Sequence, residues 1–186
     1  EKLFLTPNGL DNNEYRFVDI PKYPDRSICI GKIEDRKKQY FLQGIDSLWF
    51  AGNIADNRFN KNKNYLGELP KSKIKTDLTE YGNLVLVSDG EVHPRVCTEA
   101  LAAGLGVVIS ECGIANLDLD KEFITVIPDS KINDLEYIQT QTIRNRDFSI
   151  HNRHAIIDYA RQFDWSNIIE KYYFPSIQKV RSHYDS

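Results

Sequence analysis

Asn83-Leu84-Val85-Leu86-Val87-Ser88 and Gly106-Val107-Val108-Ile109-Ser110 frame the part of the chain that decides its fold. Both runs are apolar throughout instead of alternating, the pattern of strands covered on both faces of a parallel sheet. Parallel neighbours need a crossover between them, and residues 94–105 have the length and composition of the helix that makes one. Outward from this unit the same alternation repeats. Ser27-Ile28-Cys29-Ile30-Gly31 reads as a first strand, followed by a charged stretch at 34–39 that leads into a short helix through Leu42. Leu48-Trp49-Phe50-Ala51-Gly52 is a second buried run and Tyr65-Leu66-Gly67 a shorter one, with a polar, Asn- and Lys-rich excursion at 57–64 between them. Residues 71–81 carry Ile74, Leu78 and Tyr81 at helical spacing, Phe123-Ile124-Thr125-Val126-Ile127-Pro128 is a last strand, and the chain from Ile132 onward is helical with an aromatic-rich tail. The expected fold is an α/β, Rossmann-like parallel sheet of about six strands with helices on both faces and a helical C-terminal extension. Three zones follow: a loop-rich entry segment at 1–25, the α/β core at 26–130 and the C-terminal helices at 131–186.

The 186 residues suit one domain, and at 41% hydrophobic and 27% charged they suit a globular one. Twenty-four Lys and Arg against 27 Asp and Glu give a net charge of −3, which offers no global attraction to nucleic acid. Cys29, Cys97 and Cys112 are odd in number and widely spaced, matching neither a disulfide framework nor a metal pattern, so a reducing, cytoplasmic location is expected. No apolar run approaches the roughly 20 residues that cross a bilayer. The chain contains no methionine, so it is expected to be a piece of a longer product.

The chemistry is expected where the two best strands end, since ligands of open parallel sheets sit beyond the carboxyl ends of the strands. Glu91 falls at that edge. Pro94 suits a first helical turn, whose free amides favour an anion such as phosphate. Glu99 lies five residues further, about 7.5 Å along a helix at 1.5 Å per residue, and its side chain leans back toward the helix start. Two carboxylates so placed suit sugar hydroxyls, because each accepts a pair of hydrogen bonds from a diol. The positive charge comes from the turn after the first strand, where Lys32 and Lys37 reach the same crevice and would steady a departing diphosphate. Arg36 and Lys38 are read as solvent-facing.

With these residues in place, the sequence resembles the C-terminal, nucleotide-sugar-binding domain of the retaining glycosyltransferases of GT-B fold, glycosyltransferase family 4. Glu91 to Glu99 reproduces the E-x7-E motif, followed by Glu99-Ala100-Leu101-Ala102-Ala103-Gly104. Gly31-Lys32 with Arg36-Lys37 is similar to the family's G-R…R-K-G segment, Tyr65-Leu66-Gly67 to its strand ending in L-G, and Phe163-Asp164-Trp165 with Tyr172 to its terminal F-x-W…Y helix. The resemblance implies that Glu91, with the backbone amides of Val92 and His93, binds the donor sugar and that Glu99 binds the ribose. It further implies that Lys32 and Lys37 hold the diphosphate, that backbone near Glu68 and Leu69 meets the base, and that no metal and no other cofactor is required. The acceptor would bind a missing N-terminal domain. A nucleotide-sugar epimerase of the same fold and a non-catalytic nucleotide-binding module are the competing readings.

Four positions depart from the family pattern: Val92 and Lys38 stand where glycine is usual, His93 where an aromatic is common, and Lys32 where arginine is. The G-x-G-x-x-G and G-x-x-x-x-G-K-[ST] phosphate motifs are absent. Asp118-Leu119-Asp120 spells D-x-D but is read as a surface triplet. His151, His154 and His183 are read as surface residues, Cys97 and Cys112 as packing or loop residues.

Overall fold

A computed structural model of the chain describes residues 7–91 and 94–184, with side chains through Arg181. Its strands are β1 (Tyr23–Ile30), β2 (Leu48–Ala51), β3 (Tyr81–Leu86), β4 (Gly106–Ser110) and β5 (Ile124–Ile127). The helices are α1 (Gln39–Leu42), α2 (Lys71–Asp77), α3 (Arg95–Ala102), α4 (Leu135–His151), α5 (Arg153–Ala160), α6 (Trp165–Ile168) and α7 (Phe174–Tyr184). The strands form one parallel sheet in the order β2-β1-β3-β4-β5, with Ser27 opposite both Leu48 and Asn83, Leu84 opposite Val107 and Ile109 opposite Val126.

The sheet has five strands among the described residues, where about six were expected. Tyr65-Leu66-Gly67 does run parallel to β2, but only Phe50 and Tyr65 form a bridge. Phe50 N donates to Asn64 O (2.8 Å), Leu66 N to Phe50 O (2.9 Å) and Gly52 N to Gly67 O (2.9 Å). The positive φ of Asn64 and Gly67 (52° and 83°) turns the chain away on either side, so the pairing stops before it becomes a strand.

The uniformly apolar strands are explained by two cores. Leu84 and Leu86 of β3 join Ile28, Ile30, Val107 and Ile109 under α2, α3 and α5, while Val85 and Val87 join Cys29, Val108, Leu42, Phe59 and Ile138 on the other face. Each such fully buried side chain stabilises the fold by about 1.5–3 kcal/mol. Ala100, Ala102 and Ala103 are buried on α3 and let that helix approach the sheet closely.

Two buried polar side chains tie the C-terminal helices to the core. Asn145 of α4 donates to Val107 O, Phe123 O and Thr125 Oγ1 and accepts from Asn83 Nδ2, knitting β3, β4 and β5 from one side. Arg153 of α5 donates to Val18 O, Thr79 O and Oγ1, Tyr81 O and Ala103 O. Burial holds its pKa down to about 10, with Glu80 and Asp19 pulling it back up. The entry segment is anchored as well: Leu10 N donates to Phe163 O and Leu10 O accepts from Trp165 N. The zones read from composition therefore share one packed body. Between α6 and α7, Ile169–Tyr173 forms a π-helical turn, which accommodates Pro175 and its missing amide hydrogen in α7.

Candidate functional site

In the order β2-β1-β3-β4-β5 the connections reverse direction between β1 and β3, and the crevice beyond their carboxyl ends is where such sheets take ligands. Gly31 follows β1 and residues 88–91 follow β3. Gly31 and Gly52 have φ of 145° and 148°, conformations that glycine enters without strain. A Cβ on Gly52 would stand 1.9 Å from Gly31 O, so the ends of β1 and β2 meet backbone to backbone. Buried Gln39 then fixes the turn beyond β1, accepting from Glu34 N (3.1 Å) and donating to Lys32 O (3.0 Å).

This turn carries Lys37 back over the strand end, its ammonium 3.1 Å from where a Cβ on Gly31 would be. From the other side comes Glu91, whose Oε1 lies 3.6 Å from Lys37 Nζ, both side chains being only 14% exposed. Two of the four residues expected to converge on one crevice thus lie side by side. Lys32, 60% exposed, lies 3.9 Å from Glu34 and lines a cleft of about 330 Å³ together with Gly31, Gly52, Glu68, Leu69 and Ile74. Gly31 is the floor common to that cleft and to the Lys37–Glu91 pair. The expected base-side residues Glu68 and Leu69 thus share a wall with Lys32.

Lys38 corrects the reading that left it facing solvent, its side chain being 16% exposed, whereas Arg36 is 46% exposed as expected but is not free. Arg36 donates to Glu91 Oε1 (3.0 Å) and Glu34 Oε1 (2.8 Å) and to the carbonyl of Gly90, while its own carbonyl accepts from Asp89 N. Lys38 Nζ bridges Asp89 Oδ2 (3.0 Å) and Asn133 Oδ1 (3.1 Å). The turns after β1 and β3 are therefore clasped together, a contact across more than 50 positions that no local pattern announces. Lys38 has φ 51°, ψ 21°, which accounts for the glycine that the resemblance would place there. Pro94 is likewise shifted: it caps α3 in an extended conformation instead of occupying the first turn.

Glu99 stands one turn into α3, half-buried, and next to burial itself its carboxylate, through its charge and then through hydrogen bonding, raises the pKa of the buried Tyr15 hydroxyl. Burial raises the Cys97 thiol, and Glu91 and Glu99 both add to that rise while Lys37 opposes it. Cys29, beneath Lys37, is pushed up to about 12 by burial, with Lys37 and Gln39 pulling it down. The structure joins Lys37 and Glu91 directly, links Lys32 to them through Glu34 and Arg36, and sets Glu99 on the next turn against Tyr15. The Tyr15 contact, reached from the entry segment, was not foreseen. Val92 and His93 lie outside the described residues.

Two other hollows, of about 350 and 490 Å³, lie among the C-terminal helices and the entry segment and hold none of the expected site residues. Convergent charge, not size, marks the crevice at β1 and β3. Among the described residues no three His, Cys, Asp or Glu side chains group to hold a metal ion, and no helix is long and apolar enough to cross a membrane.

The sheet order and the helical extension match one half of the GT-B fold. The pneumococcal O-GlcNAc transferase GtfA, solved with UDP and GlcNAc, superposes on 93% of this chain at a TM-score of 0.64 and 15% identity. Anabaena Alr3699/HepE in complex with UDP-glucose covers 94% at 0.68 and 16% identity, and sucrose-phosphate synthase (tll1590) from Thermosynechococcus elongatus covers 97% at 0.67 and 16%. The chain spans 38%, 56% and 52% of the length of these three proteins. No protein-family model matches the sequence, and no curated protein does.

Proposed function

We propose that the chain is the donor-binding half of a retaining glycosyltransferase, taking a nucleotide-diphosphate sugar in the crevice beyond β1 and β3. The observation that carries this reading is Lys37, held over Gly31 and facing Glu91 at the point where the sheet reverses. Its ammonium meets the diphosphate there, with Lys32 on the adjoining cleft wall. Glu91, with the amides of Val92 and His93, takes the sugar hydroxyls, Glu99 the ribose, and backbone at Glu68 and Leu69 the base. In the reaction the bond between the anomeric carbon and the phosphate oxygen breaks and one to an acceptor hydroxyl oxygen forms, the electron pair leaves with the diphosphate, which takes up the hydroxyl proton, and the lysine cations stabilise the charge as it grows. The protein's cations supply what a metal would, so no metal and no cofactor beyond the donor is needed. That GtfA and HepE were solved with UDP or UDP-glucose supports a uridine nucleotide as the first ligand to try.

The acceptor would bind on a second domain, and the glycosyl unit would be transferred with its anomeric configuration retained, in the cytoplasm. On its own this chain binds nucleotide and transfers little. Calorimetry with UDP, GDP, ADP and their sugars tests the reading. Saturable one-to-one binding of one nucleotide series is expected, and no binding of any at millimolar concentration overturns it.

A further inference from the structure

Glu91 Oε1 has two cationic neighbours at unequal distance. Arg36 Nη1 is at 3.0 Å, a charge-assisted hydrogen bond, whereas Lys37 Nζ at 3.6 Å is within ion-pair range but beyond hydrogen-bond range. The same guanidinium reaches Glu34 and the Gly90 carbonyl, so a planar fork answers both carboxylates and closes the turn at 88–91 over the turn at 34–38. Lys37, by contrast, donates no hydrogen bond to Glu91 and rests across Gly31, at the junction with the cleft lined by Lys32. The lysine stem is flexible and its head a compact charge with three donors. If Arg36 were absent, Lys37 would be the nearest remaining cation to Glu91 and would close the short remaining gap.

We infer that Arg36 is a positioning residue of the donor site. It engages the Glu91 carboxylate so that the Lys37 ammonium stays unspent and available to an anionic ligand. This rests on the nucleotide-sugar reading and deepens it, since Arg36 acts through Glu91 and Lys37 without touching the diphosphate. The availability of the Lys37 ammonium is thereby set by a competition for one carboxylate oxygen.

A double-mutant cycle tests this, with UDP as the probe and Arg36→Met, Glu91→Gln and the double variant as the proteins. Arg36→Met is expected to weaken UDP by about three- to fivefold, the upper end for a partly exposed charge pair. In the Glu91→Gln background, where no carboxylate competes for Lys37, the same change is expected to cost less than about twofold. An equal loss in both backgrounds means that Arg36 meets the phosphates directly and overturns the inference, as does wild-type affinity in Arg36→Met. Arg36→Lys should recover part of the loss, since it restores a cation without the fork. A ligand-free readout separates this from the function itself: proton exchange of the Lys37 ammonium, followed by NMR, should slow in Arg36→Met as that group becomes hydrogen-bonded to Glu91. Unchanged exchange overturns the positioning role, whereas absence of UDP binding by the wild type overturns only the nucleotide reading.

Discussion

The ammonium of Lys37 crosses the face of Gly31, 3.1 Å from the point where a Cβ on that glycine would stand. Gly31 therefore sets the position of the cation as well as the turn. Gly31→Ala should cost about 1–3 kcal/mol in stability, because φ is 145° there, and should also push Lys37 aside. The expected result in calorimetry is a loss of UDP affinity comparable to that of Lys37→Ala, with uridine affected less than UDP in both variants. Full UDP affinity in a folded Gly31→Ala protein would show that Lys37 is not placed by this contact.

Arg153 offers a test of the scaffold away from the crevice. Its guanidinium serves five acceptors contributed by the entry segment, the approach to β3, β3 itself and the end of α3. Arg153→Met keeps most of the bulk but strands buried carbonyl groups, each costing about 1–3 kcal/mol when left unpaired. A fall of at least about 3 kcal/mol in urea unfolding is expected, with no change in the slope of the transition. A smaller fall would mean that water replaces the guanidinium.

Much of this architecture could be read before the structure. β3, β4 and α3 are visible because burial on both faces leaves an unbroken apolar run, and the crevice position follows from which strands precede Gly31 and Ser88. The placement of Lys37 and Glu91 at one strand-end crevice follows from the same pattern, whereas their direct ion pair does not. The role of Arg36 does not either, because it depends on one turn folding across another more than 50 residues away. Tyr15 was missed for a similar reason: only the packing of the entry segment against α3 brings its hydroxyl to Glu99. The sixth strand failed on a local detail, the left-handed residues at 64 and 67.

The polar excursion after β2 is held by Asp56, which accepts from Arg58 Nε (2.9 Å), Nη2 (2.7 Å) and N (3.0 Å), while the guanidinium stacks 3.7 Å from the centre of the Tyr40 ring. Hydrogen bonding from Arg58 outweighs burial and lowers the Asp56 pKa from 3.8. A carboxyl depressed on folding contributes stability above its unfolded value and loses it as pH falls through the folded one. Asp56→Asn should therefore be less stable than wild type at pH 7, with the difference shrinking as pH falls through the lowered folded-state value. Urea midpoints measured from pH 7 to 2.5 check this, and a constant offset across the range would contradict it.

Lys38 sets two effects of similar size against each other. Its left-handed backbone costs a non-glycine residue about 1–2 kcal/mol, while its ammonium bridges Asp89 at 3.0 Å and Asn133 at 3.1 Å. The Lys38 side chain is 16% exposed but Asp89 is 53% exposed, so the pair belongs near the upper end of the roughly 0–1 kcal/mol of surface pairs. Lys38→Ala removes the bridge and keeps the strain, and should destabilise by about 0.5–1 kcal/mol. Lys38→Gly removes both, and its greater freedom in the unfolded chain offsets part of the relief, so it should fall close to wild type and about 1 kcal/mol above Lys38→Ala. The difference between the two variants isolates the backbone, since neither retains the ammonium. Equal melting temperatures for them would place Lys38 outside the left-handed region, and the turn that presents Arg36 and Lys37 to Glu91 would then need a different geometry.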